Sequence, residues 1–178
     1  MNNAELAAHN KNRRITQVCY VTDDYTRTIQ YLYHALQFGP WKILSLSSGN
    51  TSNVRLEGKP VEEPFAFAVA LCYIGAMQLE VVQPLHGPTV YERFLKERGP
   101  GIHHIKESMP RGQVEAFMQK AAVQGHREAF HGDGFQGEED VDGFWYIDTY
   151  AQLGAYYELG NSPAVHLAAD QYTMWPQE

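Results

Sequence analysis

Gly99-Pro100-Gly101-Ile102-His103-His104-Ile105-Lys106-Glu107 is the stretch whose reading decides the fold. A Gly-Pro-Gly turn runs straight into a short apolar strand that carries two adjacent histidines. Side chains alternate faces along a strand, so only one of the pair can aim at a given site. If that site holds a metal, one histidine is a ligand and its neighbour packs or faces solvent. The plain alternative is a strand with two partly buried histidines of no special role. The rest of the chain has to choose between them.

Working outward, the same order of elements occurs on both sides of this stretch. Upstream, residues 15–21 are β-branched and read as a strand. A helix follows over 24–38, with Ile29, Leu32, Tyr33 and Leu36 at helical spacing and Gly39-Pro40 as its stop. A strand over 41–46 precedes a polar loop, broken by Gly and Pro, over 49–64, with room for one short element. Strands over 65–74 and 77–83 then form a hairpin about Gly75-Ala76. Downstream, a strand over 102–107, a helix over 113–124, a strand over 127–131 and a hairpin of 141–148 with 154–159 repeat the order. The stretch 132–140 between them is a Gly/Asp/Glu-rich loop. Each half therefore reads β-α-β-β-β, an internal duplication. The expected layout is a flexible arm (1–12), a first βαβββ module (13–83), a helical connector (84–99, with its helix over 89–98), a second module (100–160) and a tail (161–178). The fold class is α+β, with a curved mixed sheet around a central cleft.

Composition narrows the function. The 178 residues are 44% apolar and 20% charged, globular values for a chain able to bury a core. A net charge of −7 without a basic run leaves no footprint for nucleic acid. No apolar stretch approaches the ~20 residues of a membrane span. The N-terminus is polar, without a secretion signal. Cys19 and Cys72 lie in apolar runs without metal-type spacing and read as reduced core thiols. A cytoplasmic protein is expected.

Four positions coincide when the halves are superposed by element. Gln17 and His104 lie in the two first strands, and Glu80 and Glu158 in the two last. A carboxylate inside an apolar strand is costly to bury alone, and here it occurs twice at matching places. A divalent cation between the halves would give both a common partner, with N/O ligands. Taken singly, each Glu reads as a solvent-facing strand residue and Gln17 as an edge polar residue. In phase with the four are Cys19, Val21, Val82, Lys106 and Tyr156, while Tyr73, Trp41 and Trp145 lie close by element order. Each of these reads first as core packing, except Lys106, a cation able to meet an anionic group or to sit at a rim.

Set in paired βαβββ units, these residues resemble the vicinal oxygen chelate superfamily, and within it glyoxalase I and methylmalonyl-CoA epimerase. The likeness runs from about Ile15 to Leu159. Its most specific parts are Leu79-Glu80-Val81-Val82-Gln83-Pro84-Leu85 and Phe94-Leu95-Lys96-Glu97-Arg98-Gly99-Pro100-Gly101-Ile102-His103-His104-Ile105, both similar to the epimerase branch. Phe38-Gly39-Pro40-Trp41 and Gly154-Ala155-Tyr156-Tyr157-Glu158-Leu159 agree. The resemblance makes His104, rather than His103, the ligand. One departure is informative: epimerases and extradiol dioxygenases usually carry histidine where this chain has Gln17, and some glyoxalases carry glutamine there.

The resemblance implies a metal-dependent isomerase/epimerase or lyase that abstracts a proton next to a carbonyl, through an enediolate. Gln17, Glu80, His104 and Glu158 would hold one divalent metal ion of the Zn, Ni, Co or Mn class, and Glu158 would be the catalytic base. Lys106, Tyr156, Tyr73 and Trp41 are the candidate substrate-binding residues. The substrate would be a small carbonyl compound, an acyl-CoA thioester or a glutathione adduct. The resemblance also implies a homodimer with no membrane partner. Readings kept open are a glyoxalase I-like lyase and a metal-free small-molecule-binding protein of the bleomycin-resistance type. Gln17 disfavours a ring-cleaving dioxygenase.

Overall fold

The computed structural model describes residues 1–134, 143–161 and 167–177. In chain order its elements are α1 (Asn3–Asn10), β1 (Ile15–Val21), α2 (Tyr25–Leu36), β2 (Trp41–Ser47), β3 (Thr51–Leu56), β4 (Lys59–Pro60), β5 (Ala66–Ile74) and β6 (Met77–His86). Then come α3 (Val90–Arg98), β7 (Gly101–Ser108), α4 (Arg111–Val123), β8 (Glu128–Gly134), β9 (Gly143–Ile147), α5 (Tyr150–Leu153), β10 (Tyr156–Gly160) and β11 (Thr173–Trp175). Local chemistry sets the boundaries. The Asp24 side chain accepts the Arg27 N–H at 2.9 Å and opens α2. Thr89 opens α3 in the same way through the Glu92 N–H. Gly75, at φ 62°, makes the tight turn between β5 and β6 that a side chain would disfavour.

The strands form one mixed sheet in the order β11-β2-β5-β6-β1-β7-β10-β9-β8-β3-β4. The antiparallel pair β1·β7 is its centre. Outward from that pair both halves read alike: β6 is parallel to β1 and β10 to β7, and then come the antiparallel neighbours β5 and β9. β2 and β8 follow as the next strands on each side. This is the duplicated βαβββ architecture, folded as α+β.

The sheet is strongly curved. β2 and β3 are far apart in the sheet order yet joined by a tight turn, in which the Thr51 hydroxyl donates to the Ser47 carbonyl at 2.6 Å. A chain of so few residues cannot cross a flat sheet. The sheet therefore curls until its two ends approach, without closing, and the concave side becomes the cleft.

Three apolar clusters hold this shape. α2 packs Ile29 on Trp41, Ala70, Cys72 and Val81 outside the first half. α4 packs Val114 and Ala121 on Trp145, Ile147 and Leu159 outside the second. The concave face buries Cys19, Val21, Phe67, Val82, Phe130 and Tyr146, with Val90, Tyr91 and Phe94 of α3 closing one end. Among the described residues no helix is long and apolar enough to cross a membrane.

Several expectations need correction. Residues 3–10 of the expected arm form α1, because Asn2 and Glu5 make a reciprocal capping box, although the helix buries none of its residues. The expected loop 49–64 contains β3 and β4: β3 leaves the first module and pairs with β8 of the second, a partner that local sequence cannot announce. The tail supplies β11, paired with β2. Residues 135–142, within the expected acidic loop and the start of the last hairpin, lie outside the described residues, as do 162–166 of the tail.

Candidate metal centre

Gln17 on β1, Glu80 on β6, His104 on β7 and Glu158 on β10 sit on four adjacent strands at the middle of the sheet. Register brings them level: Cys19 is paired with both Glu80 and His104, and Lys106 with both Gln17 and Glu158. The period of two then turns all four side chains to the concave face. All are buried, His104 completely.

Their polar atoms surround one point. His104 Nε2 is 2.8 Å from Glu158 Oε2, 3.2 Å from Glu80 Oε2 and 3.2 Å from Gln17 Oε1. One ring nitrogen thus faces three oxygens from three other strands. It carries at most one proton, and the shortest contact gives that proton to Glu158. Among the described residues, Glu80 Oε2 is left buried without a hydrogen-bond partner. An acceptor surplus of this kind is what a cation relieves, so the residues fit a divalent ion with N/O ligands.

The charges respond to this crowding. Burial alone would lower the His104 pKa, but Glu158 and Glu80 push it up to about 9. Burial would raise Glu158, but Lys106 and His104 hold it down at about 2. Lys106 Nζ lies 3.2 Å from Glu158 Oε1, so both oxygens of that carboxylate are engaged. The Cys19 sulfur clusters with ligand atoms of Glu80 and His104, all within 4.8 Å of one another. Burial, with the two carboxylates adding to it, pushes this thiol well up. Without a metal ion the thiol is therefore held protonated.

Residues behind the four fix their orientation. Gln17 Nε2 donates to Gln78 Oε1 at 2.5 Å, and Gln78 Nε2 donates to the Tyr73 hydroxyl at 2.7 Å. This chain of bonds turns the Gln17 carbonyl oxygen toward His104. Sequence reading passes over Gln78, although it lies two residues before Glu80 and therefore on the same face. The paired histidines depart from strict alternation of faces, although only His104 meets the other three side chains. A bulge opposite Cys19 and Tyr20 sends both inward. His103 packs among Tyr91, Phe94 and Tyr156, and the two Nδ1 atoms are 2.9 Å apart. If His104 presents an Nε2 lone pair, its proton lies on Nδ1 and is donated to His103. Burial keeps His103 neutral.

The cleft over the cluster is a cavity of about 60 Å³ lined by Gln17, Glu80, Lys106, Glu158 and apolar or phenolic walls that include Phe67, Tyr91 and Tyr146. The hydroxyls of Tyr91 and Tyr146 bond each other at 2.8 Å, and burial raises both phenols well above their usual range. Of the residues singled out as substrate contacts, only Lys106 lines this cavity. Tyr73 is half-exposed at the outer end of the Gln78 chain. Tyr156 is concave-facing but lies to one side, against His103 and Tyr150. Trp41 is turned to the other side of β2, against α2, and Trp145 to the α4 side, under the Arg111 guanidinium. Proximity in element order carries no information about face.

The sequence profile described as the Glyoxalase/Bleomycin resistance protein/Dioxygenase superfamily matches residues 16–142. The chain belongs to this superfamily. The matched span includes the Gln17, Glu80 and His104 strands of the superfamily fold and ends before β10. Among solved structures, a hypothetical protein of Bacillus halodurans C-125 is 15% identical with a TM-score of 0.60, covering 88% of this chain and 99% of its own. Methylmalonyl-CoA epimerase from Mycobacterium tuberculosis is 18% identical, TM-score 0.54, covering 83% and 86%. A point variant of the Streptomyces coelicolor methylmalonyl-CoA epimerase, in complex with 2-nitronate-propionyl-CoA, is 18% identical, TM-score 0.57, covering 87% and 98%. At these identities the likeness is one of fold. No curated protein matches the sequence significantly.

Proposed function

We propose that this superfamily member is a metal-dependent enzyme of the isomerase/epimerase or lyase type, which removes a proton from carbon next to a carbonyl. The observation that carries the reading is the ring of three oxygens about His104 Nε2, with Glu80 Oε2 buried and, among the described residues, without a hydrogen bond. Gln17 Oε1, Glu80, His104 Nε2 and Glu158 would hold the ion, and a single chain supplies all four. A divalent ion of the Zn, Ni, Co or Mn class would supply Lewis acidity toward a carbonyl oxygen.

The remaining work falls to the chain itself. Tyr91, Tyr146 and Phe67 exclude water, which strengthens every charge interaction inside the cleft. Glu158 accepts the proton from the carbon acid. Glu80 is a second reading for that role, favoured by its unbonded oxygen, whereas both Glu158 oxygens are engaged by His104 and Lys106. The epimerase likeness supports an acyl thioester as substrate, since one such neighbour is described with a propionyl-CoA derivative. A glutathione adduct is the alternative that the same chemistry serves.

The test combines elemental analysis of the purified protein with a solvent-deuterium exchange screen over acyl thioesters and hemithioacetals of α-oxo aldehydes. Stoichiometric metal and C–H exchange are expected. Glu158→Gln and Glu80→Gln assign the base: it is the one whose loss abolishes exchange while metal is retained. A metal-free protein that binds these compounds without exchange would instead be a binding protein of the same superfamily.

A further inference from the structure

His103 is a buried polar side chain that the proton-transfer reading does not use. It is fully buried, in a pocket walled by Tyr91 and Phe94 of α3 and by Tyr146 and Tyr156. A leucine or phenylalanine would fill such a pocket without the desolvation cost that an imidazole incurs. With His104 on the concave face, strict alternation would also turn this side chain away. It takes the register shift between Cys19 and Tyr20 to bring it in. Two costs at one position call for a compensating contact, and the structure gives one: His103 Nδ1 is 2.9 Å from His104 Nδ1.

Counting protons fixes how that contact runs. A hydrogen bond between two ring nitrogens needs one donor and one acceptor. The three oxygens around His104 Nε2 make a cation site when that nitrogen offers its lone pair, which puts the His104 proton on Nδ1. His103 Nδ1 is then the acceptor, and the proton of the neutral His103 ring lies on Nε2. Among the described residues Nε2 makes no well-formed hydrogen bond. The Val90 backbone, at the start of α3, favours a proton on the ring, and the aromatic rings around it accept an N–H weakly. A ligating histidine commonly gives its second proton to a carboxylate or a backbone carbonyl. Glu80 and Glu158 already bring two negative charges to this centre, and His103 supplies the acceptor without a third.

Resting on the metal-dependent reading above, we infer that His103 is a positioning residue of the metal centre. Its Nδ1 accepts the His104 proton and so holds the His104 Nε2 lone pair toward Gln17, Glu80 and Glu158. The connector helix α3, which carries Val90, Tyr91 and Phe94, thereby acts on the centre through a second imidazole.

The test uses the full chain, metal-free and loaded with Zn²⁺. Zn²⁺ affinity is measured by competition with a chromophoric chelator, folding by denaturant unfolding in excess chelator, and ring protonation by ¹H–¹⁵N correlation spectra of ¹⁵N-histidine-labelled protein. His103→Leu is expected to weaken Zn²⁺ binding by roughly ten- to a hundredfold with folding retained. His103→Asn, whose side-chain oxygen stands near the place of Nδ1, should recover most of that affinity. A side chain that merely packs gives the reverse order, because leucine suits an apolar pocket and asparagine does not. The loaded wild-type spectrum should show His104 protonated at Nδ1 and His103 at Nε2. His103→Leu binding Zn²⁺ as tightly as wild type, or His103→Asn binding no better than His103→Leu, overturns the inference with the metal reading intact. Wild-type protein that binds none of Zn²⁺, Ni²⁺, Co²⁺ and Mn²⁺ overturns the reading on which it rests. Should His103→Leu fail to fold, the wild-type spectrum decides: a proton on His103 Nδ1 in loaded protein overturns the inference.

Discussion

Lys106 and Glu107 are neighbours on β7 that point to opposite faces of the sheet, and the two sides treat buried charge differently. On the convex side Glu107 is almost fully buried, but its oxygens are satisfied. Arg13 Nε donates to Oε1 at 2.6 Å, Arg13 Nη2 to Oε2, and the Tyr157 hydroxyl to Oε2 at 2.6 Å. Burial works against that carboxylate, yet Arg13 and Tyr157 hold its pKa below the usual range. On the concave side two carboxylates and an amide oxygen crowd one imidazole, and among the described residues Glu80 Oε2 has only its 3.2 Å contact with His104 and no hydrogen bond of its own. A buried carboxylate with every acceptor matched belongs to the architecture. One left short of donors, in a cleft, is placed to take up a cation or a ligand.

The comparison can be broken or sharpened by measurement. The largest effect is expected from Glu158→Gln, which should lower proton exchange by roughly 10²–10⁴-fold, the usual worth of a positioned general base, while the circular dichroism spectrum is unchanged. Full activity in this variant would remove Glu158 from the mechanism. On the convex side, Arg13→Met strips the main partner from Glu107. Denaturant unfolding should show a loss of roughly 2–3 kcal/mol, toward the low end for buried pairs because Arg13 is one-third exposed, with metal content unaltered. Gln78→Leu should weaken metal affinity by about ten- to a hundredfold and leave stability nearly unchanged, because it frees the Gln17 amide to turn.

The remaining effects are in pH. The Glu107 pKa is lowered on folding, so its contribution to stability is full above the unfolded value near 4.3 and fades as pH falls toward the folded one. The His104 pKa is raised, to about 9, so in chelated protein its contribution is full below about 6.5 and fades as pH rises through 9. Thermal unfolding of chelated protein should therefore decline at both ends. The alkaline decline should disappear in metal-loaded protein and the acid one should not. An alkaline limb that ignores metal would place the His104 cluster with the architecture, alongside Glu107.

Much of the fold is legible locally. β1 occupies Ile15–Val21, as its β-branched run indicates, and the caps at Asp24 and Thr89 start α2 and α3 where their side chains can accept a backbone N–H. What was not legible depends on partners distant in sequence. β3 is polar and interrupted by Asn53 in a left-handed conformation, and only its ladder with β8 makes it a strand. Trp41 has the same apolar character whichever face it takes, and the sheet's curl with α2 behind it chose the convex one.

By itself the sequence determined that a βαβββ order occurs twice and that Gln17, Glu80, His104 and Glu158 stand at equivalent places, because strand period and cap chemistry are local properties. Tertiary structure alone decided that those four meet within hydrogen-bonding distance and that a bulge brings His103 in behind His104. Those facts depend on register and curvature, which are set by which strands pair across the whole chain and are written in no single segment of it.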